Sequence, residues 1–311
     1  MRHEIQKVTD EIQKVIVGKQ AALTKLLIAV FAGGHVLLDD VPGVGKTTLA
    51  MAAAHTMGLT YRRIQFTPDV LPSDITGFSV YNKETGKLSY MPGVANGANI
   101  LLGDEINRTS SKTQSALLEA MEERQVTVDG TTHELERPFI VIATQNNVGT
   151  AGTQLLPFAQ LDRFLMRLSI GYPDLESQMA IIRDRQTNNP RDNMRQILNV
   201  ADVLRMQTEV QNVILKDSVI AYIAQIAEAS RDNAQIELGI SPRGALFIAR
   251  AAKARAYVHD RDYVVPEDVR EVLPDVCAHR VILSQQARAG RVTTQKVLAG
   301  LVEGVKVPDG I

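Results

Sequence analysis

Up to about residue 173, short apolar runs rich in valine and isoleucine alternate with segments of helical period: HVLLD, YRRIQF, ANILLGDE, FIVIATQN and FLMRLSIGYP. Buried parallel strands read this way, because helices cover both faces of such a sheet. After YPDLESQ the pattern turns almost wholly helical, through KDSVIAYIAQIAEASRD, SPRGALFIARAAKARAYVHD and PEDVREVLPDVCAHRVIL. Ser241 before Pro242 and Pro266 before Glu267 mark helix starts. The pattern predicts an α/β domain over residues 1–173 and a helical domain over 174–311. Two segments of the first half depart from strand-helix alternation. FSVYNKETGKLSYMPG has two short alternating runs around Asn82 to Lys87, and RQVTVDGTTHELERP turns at Asp129-Gly130, so both read as β-hairpins.

Composition narrows the class. The chain has 311 residues and is 45% hydrophobic, enough for two packed domains. Lys plus Arg number 34 against 35 Asp plus Glu, a formal charge of −1, so no bulk charge points to nucleic acid or an anionic membrane. Cys277 is the single cysteine, which excludes an internal disulfide and a cysteine zinc cluster and favours an intracellular setting. The opening MRHEIQKVTDEIQKVIVGK lacks the uninterrupted apolar core of a signal peptide, and no stretch has the length to span a bilayer. The expected location is the cytoplasm, without membrane insertion. The six histidines show no ligand-like spacing, and no serine or cysteine sits in a nucleophile elbow.

The stretch LLDDVPGVGKTT carries the first chemistry. A strand, a loop from Pro42 through Gly43, Val44 and Gly45, and a helix opening with Lys46, Thr47 and Thr48 form the setting of a phosphate-binding loop. Backbone N–H groups and the helix N-terminus would face phosphates, Lys46 would add a point charge, and the Thr47 hydroxyl could ligate magnesium. Asp40 stands where the general pattern asks for glycine, which is tolerable if its φ stays negative. Further on, the apolar run of NILLGDEINR ends in Asp104 and Glu105. There Asp104 would hold the magnesium ion, and Glu105 would orient and polarise an attacking water. FIVIATQNN delivers Thr144 and Asn146 at a strand end, where an amide could bond the γ-phosphate or the water. Arg163 in QLDRF and Arg243 in GISPRG are further candidates, each also readable as an ordinary surface cation.

These residues carry a family resemblance. DVPGVGKT, RIQFTPDVLPSDITG, ANILLGDEINR, KTQSALLEAMEERQVTVDG, ATQN, LPFAQLDRF and SPRG together resemble the MoxR group of AAA+ ATPases along nearly the whole chain. The resemblance implies a five-stranded parallel α/β core with an all-α lid, ATP and magnesium as cofactors, and a homo-oligomeric, commonly hexameric, ring. By position, Lys46 and Thr47 match Walker A, Asp104 and Glu105 match Walker B, and Asn146 matches the sensor-1 amide. Arg163 matches an arginine finger that reaches a neighbour's γ-phosphate, and Arg243 matches the lid's sensor-2 arginine. VIVGKQAAL resembles the adenine side, with Val17 and Gly18 as contacts, an apolar turn being the equally good plain reading.

The family's activity would be ATP hydrolysis driving chaperone-like remodelling, maturation or metal-cofactor insertion of a client, alongside a partner with a von Willebrand factor A domain. A magnesium-chelatase-like motor subunit and an ATP-dependent assembly switch with negligible turnover are the alternatives. The hairpins match family insertions. On the first, Phe78, Tyr81 and Tyr90 could meet a substrate or partner in a ring pore, or pack at the hairpin base. Departures include NVGTAGTQLLPF after ATQN, GVANGAN in place of a more apolar run, and Gly103 where the family often has alanine.

Overall fold

The computed structural model describes residues 1–84, 86–145, 156–184 and 193–308. Its strands are β1 (Val36–Asp39), β2 (Tyr61–Gln65), β3 (Phe78–Asn82), β4 (Lys87–Met91), β5 (Ile100–Asp104) and β6 (Gln125–Val128). They continue with β7 (Thr131–Glu134), β8 (Ile140–Gln145), β9 (Met166–Leu168), β10 (Ile236–Leu238) and β11 (Ile282–Leu283). The helices are α1 (His3–Gln13), α2 (Gln20–Phe31), α3 (Lys46–Thr56), α4 (Pro72–Thr76), α5 (Ser111–Glu123), α6 (Phe158–Leu161) and α7 (Leu175–Asp184). After these come α8 (Val200–Gln211), α9 (Asp217–Arg231), α10 (Pro242–Val258), α11 (Pro266–Cys277), α12 (Gln285–Ala289) and α13 (Thr294–Gly304).

The five apolar runs of the first half become one sheet in the order β2-β5-β8-β1-β9, with every pairing parallel. Alternation along the central strands sorts residues between two cores. Val36, Leu38, Ile100, Leu102, Ile140 and Ile142 join α1, α2, α3 and the lid helices in the larger core. Leu37, Leu101, Val141 and Ala143 face the other way, onto Phe66, Ile75, Leu117, Leu118 and Met121. The edge strand β2 reads YRRIQ with its arginines exposed, which protects an otherwise open edge. Gly103 has a local reason: a Cβ there would lie 2.9 Å from Phe66 Cε2, so the buried Phe66 ring fills the space that alanine would need.

Both predicted hairpins form, β3 with β4 and β6 with β7. Asp129 and Gly130 both take positive φ, 49° and 76°, as the two-residue turn requires. Tyr90 proves to be a packing residue. Its hydroxyl donates to the Thr76 carbonyl at 2.5 Å, and its ring stacks on His133 of the second hairpin at 3.7 Å. Phe78 and Tyr81 stay exposed.

The second half is helical, with the addition of a short antiparallel pair, β10 with β11, that the helix-period pattern did not announce. Helix α10 starts as expected, the Ser241 side chain accepting from the Gly244 N–H and Pro242 standing in the first turn. The helical half joins the sheet through Arg280, whose side chain is 1% exposed. Its Nε donates to Asp162 Oδ1 at 2.9 Å, its Nη2 to the Asp162 carbonyl at 3.0 Å, and its guanidinium lies 4.7 Å from the Phe247 ring.

His35 performs a similar task under the sheet. Its Nδ1 accepts from the Val141 N–H at 2.9 Å and its Nε2 donates to the Met121 carbonyl at 3.0 Å, tying β8 and α5 to the start of β1. That pattern needs a neutral ring, and burial pushes the His35 pKa down to about 4. The unfolded chain takes up this proton near pH 6.5 and the folded chain only near 4, so the folded state loses stability as pH falls through that window. The shift corresponds to about 3 kcal/mol, and urea unfolding of native and His35→Gln protein at pH 7 and 4.5 should show a smaller loss in the variant. Arg280→Met should cost about 3–5 kcal/mol by the same method, because it leaves Asp162 and several carbonyls without their buried donor.

Candidate active site

The loop between β1 and α3 has the backbone its sequence requires. Gly43 and Gly45 take φ of +83° and +96°, where L side chains are strained, and nothing lies within 4 Å of a Cβ built on either. Helix α3 therefore begins at Lys46 with its N-terminus facing an open cradle. Lys46 is buried, its Nζ donating to the Asp40 carbonyl at 2.7 Å and the Gln145 carbonyl at 3.3 Å. Burial lowers the ammonium pKa, while the carboxylates of Asp40, Asp104, Asp39 and Glu105 pull it back up.

Asp40 is not among the described residues with positive φ, so no glycine is needed at that point of the loop. Its carboxylate instead accepts from the Gly171 N–H at 2.9 Å, the Ser169 hydroxyl at 3.1 Å and the Ile170 N–H. The side chain that departs from the general pattern thus fastens the loop to the segment after β9.

The second acidic element is organised by one hydroxyl. Thr144 Oγ1 donates to Asp104 Oδ1 at 2.6 Å and accepts from the Glu105 N–H at 2.9 Å. Glu105 itself adopts φ 58° and ψ 49°, an uncommon left-handed conformation for a non-glycine residue. Its carboxylate takes bonds from Gln65 Nε2 at 3.0 Å and Arg108 Nη1 at 2.8 Å. Arg63 Nη2 donates to Asp104 Oδ2 at 2.8 Å and to Gln65 Oε1 at 2.7 Å, closing a polar network across β2, β5 and β8.

A cleft of about 610 Å³ gathers Val17, Pro42, Gly43, Val44, Gly45, Lys46, Thr47, Thr48, Asp104 and Glu105. Gly18 does not line it; at φ +71° it lets the chain pass Ser177, whose Oγ lies 2.0 Å from where a Cβ would stand. Asn146 lies outside the described residues. Arg163 and Arg243 lie in a second cleft of about 450 Å³, which shares no lining residue with the first. There Arg163 Nε pairs with Glu122 Oε2 at 2.9 Å and Arg243 Nη2 with Glu122 Oε1 at 2.6 Å.

Several contributors escaped the motif reading. Gln65 meets Glu105 because the β2–β5 register sets Gln65 opposite Asp104, information that lies in the pairing. Arg108 had a local signal, three residues after Glu105. Tyr172 and Pro173, at the end of the run that holds β9, and Gln178, Ile181 and Ile182 on α7 also wall the cleft, although none of them carries a motif.

The cradle suits a nucleotide triphosphate with magnesium. Two open glycine positions, a helix N-terminus and a buried lysine are the usual partners of phosphate. Thr47 and Asp104 offer the hard oxygens that magnesium takes alongside phosphate. A Thr144→Val change would strip the donor from Asp104 and orphan the Glu105 N–H, a loss of about 1–3 kcal/mol. ATP turnover should fall roughly tenfold or more with nucleotide affinity little changed, and Thr144→Ser should restore it; filter binding and steady-state phosphate release check both.

Comparison with known proteins agrees with this geometry. Residues 35–166 match the ATPase family associated with various cellular activities (AAA), and residues 228–300 match the AAA lid domain. The chain is 46% identical over 302 residues to uncharacterized protein YeaC of Bacillus subtilis, covering 97% of this chain and 94% of that one. It is 38% identical over 317 residues to chaperone MoxR1 of Mycobacterium tuberculosis, covering 98% and 83%. A crystal structure from Cytophaga hutchinsonii superposes with a TM-score of 0.91 at 40% identity, covering 98% of this chain and 95% of that one. With the phosphate loop, the acidic strand end and the lid all inside these matches, the chain belongs to the MoxR-like AAA+ ATPases.

Proposed function

We propose that the protein hydrolyses ATP at sites shared between copies in a ring, a hexamer by family resemblance, and uses the energy to remodel or mature client proteins.

The single observation that carries this reading is the separation of the two clefts: one chain sets its phosphate cradle and its Arg163–Arg243 pair apart, with no lining residue in common. Arginines that serve the γ-phosphate would then come from a neighbouring copy, and Arg243 would act on the neighbour's nucleotide beside Arg163.

In this mechanism the loop amides and Lys46 bind the phosphates, while Thr47 and Asp104 hold magnesium. The ion, when bound, neutralises and polarises the phosphate oxygens. Glu105 orients the attacking water and receives its proton after exchanging its bonds with Gln65 and Arg108, with Asn146 as a further water or phosphate contact. Arg163 of the neighbouring copy would stabilise charge on the transferring group.

The remodelling part of the proposal draws on the mycobacterial relative, which is called a chaperone. Metal-cofactor insertion and a partner with a von Willebrand factor A domain rest on the family resemblance alone. Among the described residues no helix is long and apolar enough to cross a membrane. The cytoplasmic setting is part of the proposal and rests on the lone Cys277.

The test measures ATPase rate against protein concentration, with oligomer size by light scattering, for the native chain, Arg163→Ala and Glu105→Gln. Specific activity should rise with assembly, and both variants should assemble and bind ATP yet hydrolyse it about 100-fold more slowly or worse. Concentration-independent activity would remove the shared site. Unchanged behaviour of Glu105→Gln would favour the assembly switch.

A further inference from the structure

We infer that Glu122 is a positioning residue of the second cleft: its carboxylate draws Arg163 and Arg243 together so that both face one anion presented by a neighbouring copy. This rests on the shared-site reading and adds to it a residue and a role.

Three separate parts of the chain meet at this carboxylate. Glu122 lies in the last turn of α5, Arg163 just after α6, and Arg243 in the first turn of α10. Each carboxylate oxygen takes one guanidinium, Oε2 from Arg163 at 2.9 Å and Oε1 from Arg243 at 2.6 Å. Two guanidiniums this close repel one another, and a single bridging anion is the simplest way to hold them side by side. The bridge is partly open to solvent, with side-chain exposures of 30% for Arg163, 43% for Arg243 and 35% for Glu122. Pairs so exposed contribute little to stability, so the bridge does more for geometry than for folding.

The surroundings suit an arriving anion. Arg124 and Arg250 line the same cleft, which leaves cations in excess of the Glu122 carboxylate. Arg250 is already committed to the Ala32 and Gly33 carbonyls at 2.6 and 2.8 Å, and so helps to build the wall. Asp162, next to Arg163, is fixed by buried Arg280 and lies 4.0 Å from Arg243, so the arginine pair stands on the joint between core and lid. A terminal phosphate carries more charge and more acceptor oxygens than one carboxylate, and it can take over both arginines in the arrangement that Glu122 has set.

Glu122 is also distant from its own chain's chemistry. Helix α5 begins shortly after Glu105, with Gln114 Nε2 donating to the Ile106 and Thr109 carbonyls at 3.1 and 3.3 Å. Its 13 residues then carry the chain roughly 20 Å to the arginine cleft. A change at Glu122 should therefore leave nucleotide binding in the same chain's cradle intact.

The experiment compares Glu122→Gln, Glu122→Asp, Arg163→Ala and the double variant Glu122→Gln/Arg163→Ala, all in the full chain at a concentration where the native protein is assembled. Glu122→Gln keeps size but loses the charge and one acceptor. Its kcat should drop about tenfold with nucleotide Kd and oligomer size unchanged, and Glu122→Asp should recover part of the loss. In the Arg163→Ala background the same change should lower the residual rate by clearly less than in the native chain, because only Arg243 is then left for the carboxylate to hold. A native kcat in Glu122→Gln beside an impaired Arg163→Ala overturns this inference alone. So does an equal loss in both backgrounds, or loss of assembly in Glu122→Gln. Full activity of Arg163→Ala overturns the shared-site reading and this inference with it.

Discussion

Parallel pairing is the constraint on which the rest of this structure depends. In a parallel sheet all strands end on the same side, and the register here brings Asp39 opposite Gln145, Gln65 opposite Asp104 and Gly103 opposite Ala143. Backbone groups beyond those ends lose their sheet partners and need others. Thr144 supplies the Glu105 N–H, Asp40 supplies the amides after β9, and Lys46 bonds the Asp40 and Gln145 carbonyls. The polar side chains that close the sheet are thus the ones that surround the phosphate cradle.

The same end of the sheet separates two neighbouring acids. Asp104 and Glu105 are adjacent in sequence, yet the left-handed turn at Glu105 sends their side chains to different partners: Asp104 to Thr144 and Arg63, Glu105 to Gln65 and Arg108. In the proposed mechanism the first would serve a cation and the second, once released from its two donors, a water. On the far side of the core, Arg280 locks the segment holding Asp162 and Arg163 against the lid, and the lid contributes Arg243 to the same place. Core and lid are joined where the arginines are presented, which links lid position to arginine position by direct contact.

Much of this was legible in the chain. Five apolar runs became the five parallel strands, and Asp129-Gly130 became the tight turn of a hairpin, because the local pattern and the final environment agree at those points. The phosphate loop was readable because its glycines are required by φ, a property that belongs to the residues themselves. The β10–β11 pair was not readable: two and three residues are too few to show a period, and the pairing joins segments far apart in the chain. Tyr90 looked like the exposed aromatics around it until its hydroxyl found the Thr76 carbonyl and its ring found His133.

By itself, then, the sequence determined the alternation of strands and helices, the hairpin turns, and which residues are candidates for phosphate and acid chemistry, since period, φ preference and side-chain type are local. Tertiary structure decided what those residues touch. It gave Asp40 the amides of Ile170 and Gly171, set Gln65 beside Glu105, and placed Arg163 and Arg243 on one carboxylate away from the cradle. Each of these depends on register or on packing between segments distant in the chain, and neither is written in a local pattern.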